Sequence, residues 1–181
     1  GGLKAVLLLN TEPAFDAAGG AQAAAAIGQA EMVVTLSPFQ ANLDISDVIL
    51  PIAPWTETPG TFVNAEGRVQ GFHAVVKPLG ETRPGWKVLR VLGTLLGLPG
   101  FAFETAQEVL TAARGPQDAG QEFVQGPRLD NATAAAIDLT EAPGRPASAA
   151  IYQLDGIVRR APSLQRTADA RLAGAAEGVR A

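Results

Sequence analysis

A loop and hairpin between residues 55 and 72 contain the side chains best suited to chemistry. They follow a short apolar strand that leads into Pro51. The candidates are Trp55, Glu57, Asn64, Glu66, Gly67 and Arg68. Long ordered loops outside the end of a buried strand are where α/β proteins usually place binding residues. This arrangement indicates a ligand or partner surface at the ends of the strands.

The same residues also have a structural interpretation, which turn chemistry favours. Asn64 and Gly67 occupy the first and last positions of a four-residue turn, where a type I turn prefers them. Glu57 and Glu66 are two carboxylates, but their spacing fixes no distance between them, so acid–base catalysis is not indicated. We predict no catalytic residue and no metal ligand in this chain. Glu57, Asn64, Glu66, Gly67 and Arg68 remain candidates for a cofactor-pocket loop.

The first strand is followed by a turn that lacks a nucleotide-binding fingerprint. Between strand and helix stands NTEPAFDAAGG, with neither G-x-G-x-x-G nor G-K-[ST]. Glu12 and Asp16 lie where a phosphate would need positive potential, and they would repel it. The sequence therefore argues against phosphate binding at this turn.

Two further features have ordinary structural interpretations. His73 is the single histidine, and we expect it to be half-exposed and structural, because no nucleophile accompanies it. Arg159, Arg160 and Arg166 form a small basic cluster. Such a cluster is usually a solvated face; the functional alternative is a surface for an acidic partner.

The order of elements around these candidates predicts an α/β fold. Apolar runs at 4–9, 31–36 and 47–50 read as strands, the first buried on both faces, and the alanine-rich stretch 14–30 reads as a helix. Strand–helix–strand is the βαβ unit of a parallel, Rossmann-like sheet flanked by helices. A β-hairpin follows at 61–63 and 68–76. Helices follow at 84–96, largely buried, and at 105–114.

We expect two parts, an α/β domain at 1–114 and an irregular, helical C-terminal extension at 115–181 that packs on it. Between 115 and 150 the apolar pattern is weak, with short helical turns expected near residues 121 and 131. The tail from about residue 174 is expected to fray. Because the chain begins with Gly1 and enters a strand almost at once, we expect it to be a piece of a longer protein.

Composition excludes several classes of function. The net charge of −4 is scattered, whereas a nucleic-acid surface needs clustered Lys and Arg. The chain has no cysteine, so it cannot ligate an iron–sulfur cluster, form a disulfide or supply a thiolate nucleophile. The most apolar helical run, 86–98, is too short to cross a membrane and contains Lys87 and Arg90. We expect no nucleic-acid partner and no direct insertion into a membrane.

The stretch DVILPIAPWTETPGTFVNAEGRVQ resembles a signature of the molybdopterin oxidoreductase superfamily. In that signature a strand ending in Pro leads to a Glu-x-x-Gly loop and then to Asn-x-Glu-Gly-Arg-x-Gln. The matching positions here are Asp47 to Pro51, Glu57, Gly60, Thr61, Phe62, Asn64, Glu66, Gly67, Arg68 and Gln70. Within the superfamily, the segment IYQLDGIVRRAPSLQRTADA (151–170) resembles the large iron–sulfur subunit of NADH:quinone oxidoreductase, respiratory complex I. The resemblance covers most of residues 3 to 170.

The resemblance implies a fragment of an electron-transferring subunit whose iron–sulfur clusters lie in an N-terminal region outside this chain. This segment would be a non-catalytic structural domain without its own redox centre, in which the loop around Glu57 and Arg68 is a vestige of a pterin pocket. Its partners would be the rest of its subunit and other subunits of the complex. Its location would be the peripheral arm, on the cytoplasmic side of the inner membrane.

Two alternatives remain open. The parent could be a molybdenum or tungsten pterin-dependent oxidoreductase of the formate dehydrogenase type, with the metal ligand upstream of Gly1. The chain could instead be a free-standing nucleotide-binding module. An isolated fragment would expose apolar surface near Trp86 or at 151–158, where a homodimer could form.

Overall fold

The computed structural model describes residues 2–17, 19–64, 68–115 and 151–171. The strands are β1 (Ala5–Leu9), β2 (Met32–Ser37), β3 (Val48–Ala53), β4 (Gly60–Val63), β5 (Val69–Phe72) and β6 (Arg83–Pro84). The α-helices are α1 (Pro13–Asp16), α2 (Gly20–Ile27), α3 (Gly85–Leu95), α4 (Ala106–Arg114), α5 (Gly156–Arg159) and α6 (Pro162–Gln165). Short 3₁₀ turns lie at Trp55–Glu57 and Ile151–Gln153.

A parallel sheet of four strands, in the order β1-β2-β3-β6, forms the centre of the fold. Ile52 pairs with Arg83 and Ala53 with Pro84 in the parallel ladder between β3 and β6. Strands β4 and β5 form a separate antiparallel hairpin, in which Gly60 pairs with Phe72. The predicted α/β class, with a parallel sheet flanked by helices and a β-hairpin, is confirmed.

The described residues fall into two compact units. The first contains residues 2–35, 40–49 and 151–171, and the second contains 36–39 and 50–115. The buried side chains of the first unit include Leu8, Val33 and Thr35. Those of the second include Leu36 and Ile52. Each unit therefore has apolar strand residues at its centre.

The first unit also buries the polar side chain of Thr35, whose hydroxyl has hydrogen-bond partners. The Thr35 hydroxyl lies 2.8 Å from the Ser46 hydroxyl, and the Asn42 amide donates to Thr35 Oγ1 at 3.3 Å. The same Asn42 amide donates to the Thr11 carbonyl at 2.9 Å, which fixes the turn after β1. Asn42 has a φ of 56°, a left-handed conformation that asparagine tolerates better than most residues.

The predicted single helix at 14–30 is two helices, α1 and α2. An added Cβ at Gly20 would lie 2.4 Å from the Ala14 carbonyl oxygen, so only glycine allows the chain to fold back this closely. The prediction failed because the close approach of two helices, rather than local propensity, decides the break.

Two predictions of burial are wrong. We expected β1 to be covered on both faces, but Leu8 is its one buried residue, and Leu7 and Leu9 remain more than 40 % exposed. Successive strand side chains point to opposite faces, so Leu7 and Leu9 share a face that is poorly covered, whereas Leu8 points to the covered face. In α3, expected to be largely buried, the one buried residue is Gly93, and Leu95 is 79 % exposed.

The expected structure of the extension remains a prediction. The helical turns expected near 121 and 131 and the frayed tail from 174 lie outside the described residues, as does most of the predicted boundary region after 114. Among the described residues, no helix has the length and apolar character needed to cross a bilayer.

Candidate functional site

The motif loop, residues 55–68, is attached to a later segment of the second unit through Glu57. The Glu57 carboxylate accepts a hydrogen bond from the Leu79 N–H at 2.9 Å. One residue earlier, the Thr56 carbonyl accepts the Val75 N–H at 2.8 Å. Both bonds hold the segment after β5 against the 3₁₀ turn. Glu57 therefore has a structural contact of its own within the second unit.

Asn64 closes the hairpin through its side chain and its backbone. Its Oδ1 accepts the Arg68 N–H at 2.8 Å, and its own N–H donates to the Arg68 carbonyl at 3.1 Å. These are the bonds of a side-chain-supported turn. Glu66 and Gly67, the other two candidates, lie outside the described residues. Among the described candidates, the structure brings together Asn64 and Arg68.

The hairpin surface is aromatic. The rings of Phe62 and Phe72 stack with centroids 4.8 Å apart and an angle of 17° between their planes. A Cβ at Gly60 would lie 2.4 Å from the Phe72 ring, which is a physical reason for glycine at this motif position. Trp55, another of the candidates, is about half exposed, at 51 %.

An open groove of about 770 Å³ lies in the second unit between the hairpin, Trp86 and α4. His73 lines this groove and is exposed. Apolar side chains of Phe72, Val109 and Leu110 form much of its wall. The groove is large enough for a small ligand, and its mostly apolar lining also carries the polar side chains of Thr61, His73, Trp86, Thr105 and Gln107.

A second cluster lies at the turn after β1, in the first unit. Arg160 donates two hydrogen bonds to the Glu12 carboxylate, from Nη1 to Oε1 at 2.7 Å and from Nη2 to Oε2 at 3.0 Å. Arg159 donates to Glu12 Oε1 at 3.1 Å and to Asp16 Oδ1 at 3.1 Å. Its guanidinium also lies 4.7 Å from the centroid of the Phe15 ring. Bidentate arginine–carboxylate pairs of this kind are among the stronger polar contacts in proteins.

The cluster is partly removed from water. The side chains of Arg159 and Glu12 are only 7 % and 12 % exposed, whereas that of Arg160 is 34 % exposed. The hydrogen bond from Arg160 lowers the pKa of the Glu12 carboxyl below its ordinary value, and burial, which acts in the opposite direction, does not cancel this effect. Glu12 is therefore a carboxylate over a wide pH range.

Residues 151–171, here called the C-terminal strap, contain both arginines and are held in place by hydrogen bonds of their own. Asp155 caps α5 by accepting the N–H groups of Ile157 and Val158 at 2.8 and 3.1 Å. The Gln165 side chain donates to the carbonyls of Tyr152 and Val158 at 3.0 and 2.8 Å. These bonds fold the strap on itself and place the two arginines side by side.

Sequence reasoning treated the acidic turn and the basic cluster as separate features. The structure joins Glu12 and Asp16 to Arg159 and Arg160, and leaves Arg166 exposed. Neither interpretation of the basic cluster included this contact, in which Arg159 and Arg160 bind the chain's own acidic turn. In the sequence, the one signal for this pairing is the opposite charge of these two distant segments.

Comparison with known proteins identifies the family. The sequence profile of the molybdopterin oxidoreductases matches residues 1–95, which is more than half of the chain. The chain belongs to the molybdopterin oxidoreductase family. Its matched part contains the β1 turn, the motif loop and the whole of α3. The resemblance inferred from the motif loop is thus confirmed at the level of this family.

Curated members of the molybdopterin oxidoreductase family share short stretches with this chain. A Staphylococcus aureus protein named as a formate dehydrogenase is 44 % identical over 52 residues, which are 29 % of this chain and 5 % of that protein. The Bacillus subtilis oxidoreductase YjgC is 36 % identical over 70 residues, 39 % of this chain and 7 % of that protein. The matched stretches thus span well under a tenth of the length of these relatives.

The family implies a pterin cofactor, and the described residues do not fit one at the turn after β1. A pterin dinucleotide carries phosphates, and a phosphate at this edge of the sheet would meet the carboxylates of Glu12 and Asp16. The cations that could attract it, Arg159 and Arg160, are already bound to those carboxylates. Within the described part of the chain, no three His, Asp or Glu side chains lie close enough to share a metal ion.

Proposed function

We propose that this chain is a structural α/β region of a larger electron-transferring oxidoreductase of the molybdopterin family, and that catalysis takes place elsewhere in the parent. The family membership supports the redox chemistry of the parent. The observation that carries the structural role is the ion-pair cluster, because it occupies the turn after β1 with the chain's own side chains. The local bonds of Glu57 and Asn64 support the same role for the motif loop.

The names of the curated relatives favour a parent of the formate dehydrogenase type. In that proposal a molybdenum or tungsten pterin cofactor is held by other parts of the protein, and the parent oxidises a small substrate such as formate. The absence of cysteine from this chain is compatible with it, because the metal ligand can lie outside these 181 residues.

A second parent, the large iron–sulfur subunit of NADH:quinone oxidoreductase, is favoured by the strap. Residues 151–170 carry the sequence that resembles this subunit, and they supply the two arginines that neutralise Glu12 and Asp16. In this proposal the parent passes electrons through iron–sulfur clusters in its N-terminal region and lies in the peripheral arm of the complex. Its partners are the remaining regions of that subunit and the neighbouring subunits.

Metal analysis of the purified full-length parent distinguishes the two. Stoichiometric molybdenum or tungsten, with oxidation of formate, would select the first parent. Iron without either metal, with reduction of a quinone by NADH, would select the second. The structural role is tested separately on the 181-residue chain, purified from a host that makes pterin cofactors. Release of a fluorescent pterin after its oxidation would contradict it.

A free-standing nucleotide-binding module is the competing class of function. Titration of the same 181-residue chain with NADH and guanine nucleotides tests it. We expect no saturable binding, because the turn after β1 is acidic and its carboxylates are engaged. Binding at micromolar concentration would favour the module over the structural role.

A further inference from the structure

The groove of the second unit has an apolar helix face as one of its walls. The side chains of α4 that line the groove follow the three- and four-residue spacing that aligns residues along one side of a helix: Ala106, Val109, Leu110 and Ala113. No residue of α4 is buried, so this face borders the groove without being fully packed against other described residues. An amphipathic helix normally covers its apolar face. The groove therefore leaves apolar side chains of α4 facing an unfilled space.

The hairpin supplies a second wall, and a glycine keeps part of it open. Thr61 and Gly71 lie opposite each other in the ladder between β4 and β5, and both line the groove. A Cβ at Gly71 would meet no other atom within 4 Å. The ring of Phe72, the next residue, adds aromatic surface to the same wall. A larger side chain at Gly71 would thus occupy groove space without displacing its neighbours.

The polar side chains of the groove are available for hydrogen bonds. Among the described residues that line it there is no Asp, Glu, Lys or Arg, and His73 is the one ionisable side chain. The side chains of Thr61, His73 and Gln107 make no hydrogen bond to another described residue. The indole N–H of Trp86 is buried and also has no acceptor within the described part of the chain. Each of these four side chains can donate a hydrogen bond. The groove therefore offers donors to a ligand, but no carboxylate, ammonium or guanidinium group that would neutralise a charged one.

We propose that this groove is a binding site for an uncharged, largely apolar small molecule that carries a hydrogen-bond acceptor such as a carbonyl. Its volume of about 770 Å³ lies within the range of about 300–1,000 Å³ that is typical of small-molecule pockets. The apolar body of the ligand contacts the face of α4 and the Phe72 ring, and its acceptor receives a hydrogen bond from Thr61, His73 or Gln107. A charged ligand would lose hydration there without gaining a counter-charge. The site lies apart from catalysis and is the same for either parent.

Titration of the 181-residue chain with Nile red tests the site. Nile red is an uncharged aromatic dye with a carbonyl oxygen, and its fluorescence rises when it leaves water for an apolar site. We expect saturable binding of one dye per chain, with a Kd on the order of 10 µM. Anilinonaphthalene sulfonate, an apolar dye that carries a negative charge, is the matched probe for the role of charge. It should displace Nile red only at concentrations about tenfold higher or more.

Substitutions that fill the groove locate the bound dye. Gly71→Leu places a large side chain in the open space of the hairpin wall, and Ala113→Phe does so from the exposed end of the α4 face. Each should weaken the binding of Nile red about tenfold or more, because the added side chain clashes with the ligand. Gln70→Leu is the matched control, since Gln70 is exposed, is adjacent to Gly71 on β5 and points to the other face of the hairpin. It should bind the dye as the unmodified protein does.

Circular dichroism and thermal unfolding establish which variants are folded, and Ala113→Phe takes the place of Gly71→Leu if the latter is not. The proposal is overturned if a folded groove-filling variant binds Nile red as tightly as the unmodified protein, or if Gln70→Leu weakens binding equally. Binding that does not saturate at one dye per chain, or equal affinity for the anionic dye, also overturns it. The same titration is then made on the full-length parent. Binding to the 181-residue chain but not to the parent would show that another part of the parent covers the groove, and would contradict a ligand site.

Discussion

The motif loop is stabilised mainly by contacts between residues close together in the sequence, whereas the C-terminal strap is stabilised by contacts between residues far apart in it. The Asn64–Arg68 bond joins residues four positions apart, whereas the Arg160–Glu12 bonds join residues 148 positions apart. The motif loop has the recognisable sequence and mostly local contacts. The strap has the weaker sequence signal and a network that connects it to the turn after β1, almost 150 residues earlier in the sequence. The stronger motif of this molecule therefore lies in the region whose contacts are closer in sequence.

Among the substitutions that test this comparison, one at Glu12 is expected to lower the free energy of unfolding most. Glu12→Ala removes the shared carboxylate and leaves two arginines without their main partner. We expect the free energy of unfolding to fall by about 2–3 kcal/mol, below the range for a fully buried pair because Arg160 is one-third exposed. Urea denaturation measures the change. Glu31→Ala, at an exposed site, should stay within about 0.5 kcal/mol of the unmodified protein, and equal effects of the two variants would contradict the account.

Acid should remove the difference between Glu12 and its neutral replacement. The folded-state pKa of Glu12 is lowered below its ordinary 4.5, so its contribution is complete above that value and is lost as the pH falls through the folded pKa. Unfolding of the unmodified protein and of Glu12→Gln, followed by urea at a series of pH values, should show a gap in stability that closes in acid. A gap independent of pH would mean that charge is not what Glu12 supplies.

At the motif loop we expect a smaller and local effect from Asn64→Ala. The variant removes the acceptor of the Arg68 N–H and should lower stability by about 1 kcal/mol. Hydrogen exchange should show the loss in β4 and β5 and leave the strap unchanged. Asn64→Asp keeps an acceptor oxygen and should retain most of the protection. Loosening of the strap by Asn64→Ala would break the distinction between the two regions.

The smallest effect is expected at Gly60. Gly60→Ala pushes its new methyl group against the Phe72 ring and disturbs the stack with Phe62, at a cost of about 0.5–1 kcal/mol. Gly71→Ala in the neighbouring strand is the matched control, because its Cβ would meet nothing within 4 Å. Thermal unfolding compares the two. Equal midpoints would show that the close approach at Gly60 is not energetically important.

Local sequence signals predicted most of the fold. Apolar runs located β1, β2 and β3, and Asn64 indicated the hairpin turn that its side chain closes. The start of α4 also carries a readable signal in the sequence. Thr105 accepts the Glu108 N–H at 3.1 Å, and the Glu108 carboxylate accepts the Glu104 N–H at 2.7 Å. This Thr-x-x-Glu pattern is typical of a helix start.

What the sequence did not predict depends on contacts between distant residues. The break between α1 and α2 requires knowing that Gly20 approaches the Ala14 carbonyl. The pairing of Glu12 with Arg160 requires knowing that the turn after β1 meets a segment 148 residues later in the sequence. Exposure of Leu7 on β1 depends on which elements cover the sheet. No local pattern contains this information, because each case is decided by tertiary packing.

The central claim, that this region is structural, is tested most directly at Glu57 in the full-length parent. Glu57→Gln keeps an oxygen that can accept the Leu79 N–H but removes the charge and the acid–base function of the most chemically capable described residue of the motif loop. We predict that turnover per correctly folded molecule stays within about twofold of the unmodified enzyme. A loss of about a hundredfold or more with unchanged stability would contradict the account, because general acid–base groups contribute at that scale.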